Sequence, residues 1–240
     1  MRTQFSYDLL GQLVGTTDAL GNVWSWAFDS LSRNIQKSDP DAGIWNFEYD
    51  DAGRMKAQVD AKSQRIEFGY DLAGRLVTKT PVGAPSEAVT MTYGQARSGF
   101  FNVGQLTTVS NAAAVQKTDY DALGRPVKQV QTLGGVDYTV ERRYDAGGRL
   151  RGITYPDGDA VGTTANPLGY DQAGRLTTIP GIVTEVLYDA AGRPTRRTNA
   201  NGTLTERGYS ARDWVRAWAP LVPCRQSAVC SWCLLADSHQ

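Results

Sequence analysis

Cysteine is missing from residues 1 to 223, and all three copies, Cys224, Cys230 and Cys233, crowd into the last stretch of the chain. The body of the protein is therefore not stapled by disulfides. Histidine occurs once, at the penultimate position, His239. A Ser-His-Asp or Cys-His arrangement would have to be built on a residue that a fold is poorly placed to hold, which excludes nucleophilic catalysis of that kind. Net charge is lacking too, because 25 Lys and Arg balance 25 Asp and Glu. No field gathers nucleic acid or an anionic membrane surface, and any partner is recognised by shape. No apolar run approaches the roughly 20 residues of a membrane-spanning helix. The opening Met-Arg-Thr-Gln-Phe-Ser-Tyr-Asp has none of the apolar stretch of a signal peptide. A Gly-x-x-x-x-Gly-Lys-Ser/Thr phosphate loop is absent, so nucleotide binding has no support. What remains is 240 residues with a hydrophobic content of 41%, compatible with a packed core in one large or two ordinary domains.

That content is organised by repetition. An aromatic residue followed by Asp occurs at Tyr7-Asp8, Phe28-Asp29, Tyr49-Asp50, Tyr70-Asp71, Tyr120-Asp121, Tyr144-Asp145, Tyr170-Asp171 and Tyr188-Asp189, the first four spaced 21 residues apart. Four residues after the aromatic stands Gly11, Gly53, Gly74, Gly124, Gly148, Gly174 or Gly192, with Ser32 the exception. The next position is Arg33, Arg54, Arg75, Arg125, Arg149, Arg175 or Arg193, with Gln12 the exception. Worn copies sit at Tyr93, its turn stretched by an insertion before Gly104-Gln105-Leu106, and at Tyr209-Ser210-Ala211-Arg212. Together these make about ten units, the self-similarity expected of a repeat architecture.

The motif has a mechanical meaning. Asp followed three residues later by Gly marks a type I turn, in which the carboxylate binds backbone N–H groups and Gly takes the positive φ that follows. Before the turn, residues alternate, as in Ile66-Glu67-Phe68-Gly69-Tyr70 and in Ile182 to Tyr188, which predicts strands ending in Tyr. A second strand leaves after the Arg, and further turn signals close each unit at Asp18 to Asn22, Asp39-Pro40-Asp41-Ala42-Gly43, Pro156-Asp157-Gly158 and Asn201-Gly202. Each unit is thus two short strands and two turns, and must bury its apolar face on its neighbours, because one such hairpin is not stable in water. Asp and Arg of the motif are close enough to pair, at about 0–1 kcal/mol if exposed. The Tyr residues are expected to form an aromatic ladder, each pair adding roughly 0.5–1.5 kcal/mol.

The unit Tyr-Asp-x-x-Gly-Arg-Leu, nearly whole at Tyr70 to Leu76 and Tyr170 to Leu176, resembles the YD repeat of bacterial RHS proteins. Similar repeats occur in the B and C components of toxin complexes, in polymorphic toxins, in wall-associated proteins and, distantly, in animal teneurins. The resemblance covers about residues 5 to 212. It implies an all-β, solenoid-like strip of antiparallel hairpins that is a segment of a hollow β-shell, enclosing a C-terminal toxic domain in the toxin relatives and serving adhesion in teneurins. It also implies a secreted or cell-envelope location and partners among other RHS or toxin-complex components or surface glycans. The chain opens inside a repeat, about ten units are fewer than a closed shell needs, and no Asp-Pro-x-Gly cleavage region lies near its end, so an incomplete, non-catalytic shell segment is expected. Asp39-Pro40-Asp41-Ala42-Gly43 reads as a turn.

Residues 1–212 form the repeat region and 213–240 a non-repeat tail, which holds three of the six Trp, all the Cys and the His. Three explanations of the tail stand: a frameshifted or foreign junction, a short variable tip, or a genuine site or anchor. Cys224, Cys230, Cys233 and His239 could supply four zinc ligands, but only the last two cysteines have knuckle spacing, and no metal or other cofactor is expected. Trp214, Val215 and Trp218 would share one face of a short helix stopped by Pro220. Elsewhere, acidic pairs such as Asp50-Asp51 are explained by turns and need no general acid or base, and calcium at these turns has no separate support. Trp24, Trp26 and Trp45 could offer stacking platforms to sugars or belong to the ladder of the repeat. The alternative function is therefore a carbohydrate- or protein-binding surface module.

Overall fold

The computed structural model describes residues 2–210, 212 and 215–221, the last segment by its backbone alone beyond Val215. The chain divides into two compact units, Met1–Thr139 and Val140–Gln240. The only helix among the described residues is a single 3-10 turn, Pro85–Glu87; the rest is strand, turn and loop, the all-β hairpin strip that the repeat predicts.

In the first unit, β1 (Gln4–Tyr7), β2 (Leu13–Thr17), β3 (Val23–Phe28), β4 (Asn34–Asp39), β5 (Gly43–Tyr49) and β6 (Met55–Val59) follow one another across one sheet. They continue into β7 (Arg65–Tyr70), β8 (Leu76–Pro81), β9 (Val89–Tyr93), β10 (Leu106–Ser110), β11 (Ala114–Tyr120) and β12 (Pro126–Leu133). Each strand pairs antiparallel with the next in the chain, so every connection is a hairpin. The second unit begins within β13 (Val136–Tyr144), which pairs with β14 (Leu150–Thr154), and β14 pairs with the short β15 (Ala160–Val161). It goes on with the pair β16 (Gly169–Tyr170) and β17 (Leu176–Thr178), then with a four-stranded sheet of β18 (Val183–Tyr188), β19 (Pro194–Asn199), β20 (Leu204–Tyr209) and β21 (Val215–Leu221).

The motif turns share one pattern. At Asp8, the backbone N–H of Gly11 donates to the Asp carbonyl, the Asp N–H donates to the carbonyl of Gln12, and Gly11 has φ 78°. The same two bonds recur at Asp50, Asp71, Asp121, Asp145, Asp171 and Asp189, and at Asp18 and Asp60 on the opposite edge. Sequence reading did not foresee a bulge that accompanies every motif. Tyr49 lies opposite Met55 while Glu48 lies opposite Ala57, leaving Lys56 as an extra residue. Tyr7, Phe28, Tyr70, Tyr120, Tyr144, Tyr170, Tyr188 and Tyr209 show the same shift. A bulge bends its strand and raises local twist, so curvature is written into each unit.

The packed core that the composition allows is not what the first unit builds. Its described strands form one sheet with no second sheet laid over it, and in the whole described chain the buried apolar residues are Ala57, Leu168 and Val183. The two faces differ instead. Register places Trp26, Lys37 and Trp45 side by side, and alternation adds Trp24 along β3 and Phe47 and Tyr49 along β5. The opposite face is polar, with Arg65 bridging Glu48 and Glu67, and Gln36 donating to Asn46. The insertion before β10 folds inward around a polar cluster: Arg97 pairs with Asp119 at 2.6 Å, and Asn102 donates to the same carboxylate at 2.8 Å.

The tail reading is corrected at one point. Where a helix was expected from Trp214 to Trp218, β21 runs as a strand paired with β20, Tyr209 opposite Val215 and Thr205 opposite Pro220. The hydrogen bonds offered by β20 outweigh a local helical pattern, and proline is tolerated where it need not donate to a ladder. Cys224, Cys230, Cys233 and His239 lie outside the described residues.

A repeated Asp-Arg-Tyr ladder as the candidate functional site

Each motif begins with its Asp. At Asp71, Oδ1 accepts the N–H groups of Ala73 and Arg75, both at 2.9 Å, while Oδ2 accepts Nε of Arg75 at 2.8 Å. Asp29, Asp50, Asp121, Asp145, Asp171 and Asp189 hold Arg33, Arg54, Arg125, Arg149, Arg175 and Arg193 through Nε at 2.7 Å. Apart from Arg149, which is exposed, both members of these pairs are half-buried. The N–H and then the guanidinium of Arg75 hold the Asp71 carboxyl below the usual carboxylate range. At Asp50 the guanidinium of Arg54 acts first and its N–H second, to the same effect.

Held in this way, the guanidinium lies over the tyrosine of the following unit. Arg33 covers Tyr49 at 4.9 Å from the ring centre, Arg54 covers Tyr70 at 4.7 Å and Arg75 covers Tyr93 at 4.4 Å. In the second unit Arg149 covers Tyr170 at 5.3 Å, Arg175 covers Tyr188 at 4.6 Å and Arg193 covers Tyr209 at 4.7 Å. The expected ladder of aromatic pairs is thus an alternation of Arg and Tyr, each contact worth about 0.5–2 kcal/mol according to its desolvation. The tyrosine hydroxyl completes the joint by donating to the carbonyl just past the same Arg: Tyr49 to Asn34 and Tyr70 to Met55 at 2.8 Å, Tyr93 to Leu76 at 3.0 Å. Tyr170, Tyr188 and Tyr209 do likewise toward Leu150, Leu176 and Pro194. Burial pushes the Tyr170 hydroxyl up from its ordinary range, which keeps it a donor.

Two joints depart from the rule in informative ways. Tyr120 follows Gln105, not Arg, yet its hydroxyl still reaches the carbonyl of Leu106 at 2.9 Å. Phe28 follows Gln12 and has no hydroxyl at all. Tyr7 and Asp8 head the first unit, where Gln12 takes the place of Arg and donates its N–H to Asp8. The ladder offers hydrogen bonds and stacking between successive repeats. No group of three or more His, Cys, Asp or Glu that could hold a metal ion occurs among the described residues. The signal that sequence reading missed is the pairing of Arg in one unit with Tyr in the next, which the 21-residue period contained in plain form.

The RHS Repeat family model matches residues 7–44, 49–85 and 120–160, while no curated protein matches the sequence. Among solved structures, the chain is similar to TcdB2-TccC3, with a TM-score of 0.80 and 20% identity over 92% of this chain and 13% of that one. The complex TcdB2-TccC3-Cdc42 matches with a TM-score of 0.78 at 20% identity, over 89% of this chain and 12% of that one. The Photorhabdus luminescens Tc holotoxin pore matches with a TM-score of 0.75, also at 20% identity, over 89% of this chain and 12% of that one. The chain therefore spans about an eighth of the length of the structures it resembles, and what it shares with them is the fold. With YD motifs joined unit to unit, this chain carries the RHS repeat at those three segments.

Proposed function

We propose that the chain is a non-catalytic length of RHS shell wall, working with other RHS or toxin-complex components outside the cytoplasm or at the cell envelope. The complete wall would enclose or display a C-terminal toxin domain, or mediate contact at a cell surface. The observation that supports this reading is the ladder: the most elaborate side-chain machinery of the molecule is spent on joining each unit to the next, and none of it is aimed at a small ligand. The test is complementation. A chain of the TcdB2-TccC3 kind, deleted of the segment matched here, is co-expressed with this protein and the mixture is sized. Co-elution in one particle is expected; a protein that remains a separate, stable monomer overturns the reading.

A second reading is favoured by one observation, the row of Trp26, Lys37 and Trp45 on the uncovered aromatic face. Flat indole faces flanking a cation suit stacking on sugar rings, which would make the chain a carbohydrate-binding surface module. Glycan-array binding that disappears in Trp26→Ala supports it, and a blank array removes it.

A further inference from the structure

We propose that Arg197, Arg207 and the Thr205 hydroxyl form a binding site for a phosphate group, free or carried as a monoester by a small molecule. The site lies on the four-stranded sheet of the second unit, and its three donors stand outside the ladder of Asp, Arg and Tyr. Register sets Val186 opposite Arg197 and Arg197 opposite Thr205, and alternation along β20 brings Arg207 to the same face. The two arginines are then diagonal neighbours about 7 Å apart at the backbone. One oxyanion can bridge that span with a guanidinium on either side. Val186, Arg197, Thr205 and Arg207 are among the residues lining a hollow of about 110 Å³, room for a small anion.

The equivalent row of the first unit shows what has changed. There the positions of Val186, Arg197, Thr205 and Arg207 are held by Trp26, Lys37, Trp45 and Phe47. The single cation of that row is neutralised, since Lys37 Nζ lies 3.2 Å from the carboxylate of Asp39, two residues on. Two residues on from Arg197 stands the uncharged Asn199, whose Nδ2 donates to the Thr203 hydroxyl at 2.8 Å. The row thus passes from one cation with its carboxylate to two cations with none. Nearby carboxylates are spent elsewhere. Glu206 alternates to the opposite face, where Arg196 stands across from it at 3.9 Å, and Asp189 holds Arg193 at 2.7 Å. Among the described residues Arg197 and Arg207 have no ion pair, and the half-buried Thr205 hydroxyl has no hydrogen-bond partner. Like charges at neighbouring positions of one face repel. An anion between them replaces that repulsion with charge-assisted hydrogen bonds, to which the hydroxyl adds a third donor.

The experiment titrates the full chain with inorganic phosphate, and separately with glucose 6-phosphate, near neutral pH and at low ionic strength. Calorimetry reads the heat, with sodium chloride of equal ionic strength as the control. Saturable binding of phosphate with a Kd on the order of 1 mM is expected, weakening as salt is added. Asn199→Asp restores the carboxylate that Lys37 has in Asp39, and aspartate heads the equivalent turn at Asp18 and Asp60, so the fold is kept. Phosphate binding to that variant should weaken about tenfold. Arg207→Phe, which installs the residue of the first unit, should do the same, and Thr205→Val should weaken binding about threefold. Arg196→Gln, on the opposite face, should leave the titration unchanged. A monoester bound more tightly than the free ion assigns the site to a phosphorylated small molecule, and the reverse order assigns it to free phosphate. Absence of saturable heat with either probe at about 10 mM, or binding that survives both Asn199→Asp and Arg207→Phe, overturns the proposal. An equal loss in Arg196→Gln also overturns it, because the binding would then belong to a diffuse basic surface.

Discussion

Aspartate at the head of each turn does two jobs with its two oxygens, since Oδ1 closes the turn and Oδ2 aims the arginine. Because Asp50, Asp71, Asp145, Asp171 and Asp189 all have carboxyls held below their usual range in the fold, the unfolded chain binds more protons than the folded one as acid is added. Their contribution is fully present above the ordinary carboxylate pKa of about 4 and is lost as pH falls below it. Urea midpoints measured from pH 6 downward should decline through that window. Asp71→Asn, which keeps the turn acceptor and removes the titration, should flatten the decline; an unchanged slope would mean the pairs do not couple to folding. Ser32 is a second residue-scale case. It occupies the Gly position of its turn with φ 63°, a left-handed conformation that costs an L-residue roughly 1–2 kcal/mol. Ser32→Gly should therefore stabilise the protein by about 1 kcal/mol in equilibrium denaturation. Ser63, at φ 61°, should behave alike.

At the level of the element, the hairpin is defined by its turn but positioned by its bulge. The extra residue opposite each motif aromatic re-aims the strand so that arginine and the next tyrosine meet. The insertion between β9 and β10 shows how the strip accommodates an irregular unit without breaking the sheet. Arg97 there donates to Asp119, to the carbonyls of Thr107 and Thr118, to Gln95 and to Thr108. Asn102 and Asp119 are 2% and 5% exposed, so the carboxylate end of the network is buried, while the Arg97 side chain is 23% exposed. Asp119→Ala should cost about 2–3 kcal/mol by removing the carboxylate that both Arg97 and the buried Asn102 amide donate to. If the loss in a denaturant titration is below 1 kcal/mol, the cluster is a surface ornament and not a clasp. The equivalent pair at a regular unit, Asp71 and Arg75, is more solvated and should cost distinctly less.

Over the whole molecule, stability is a chain of similar joints, which is the behaviour of quasi-one-dimensional repeat proteins. Removing residues 50–70 excises one period and rejoins Tyr49 to Asp71, preserving turn, pair and ladder. Gly74→Val forces a β-branched side chain into φ 78° and damages one turn beyond local repair. Thermal melts should show the deletion better tolerated than the substitution; the reverse order would contradict a repeat in this segment. What the sequence by itself determined was everything carried by contacts within about five residues: the period, the strands, the Asp-x-x-Gly turns and the Asp-Arg pair. Those interactions close locally, so Tyr70 to Leu76 declares them without reference to any other unit. The bulge, the choice of aromatic and polar faces, the seat of Arg54 on Tyr70 and the clasp of Arg97 on Asp119 were decided only by tertiary structure. Each depends on which residue of one strand lies opposite which residue of the next, and register is a property of pairing between strands. The same reason explains Val215–Leu221, where an apolar pattern suited to a helix became a strand because β20 presented an edge to it.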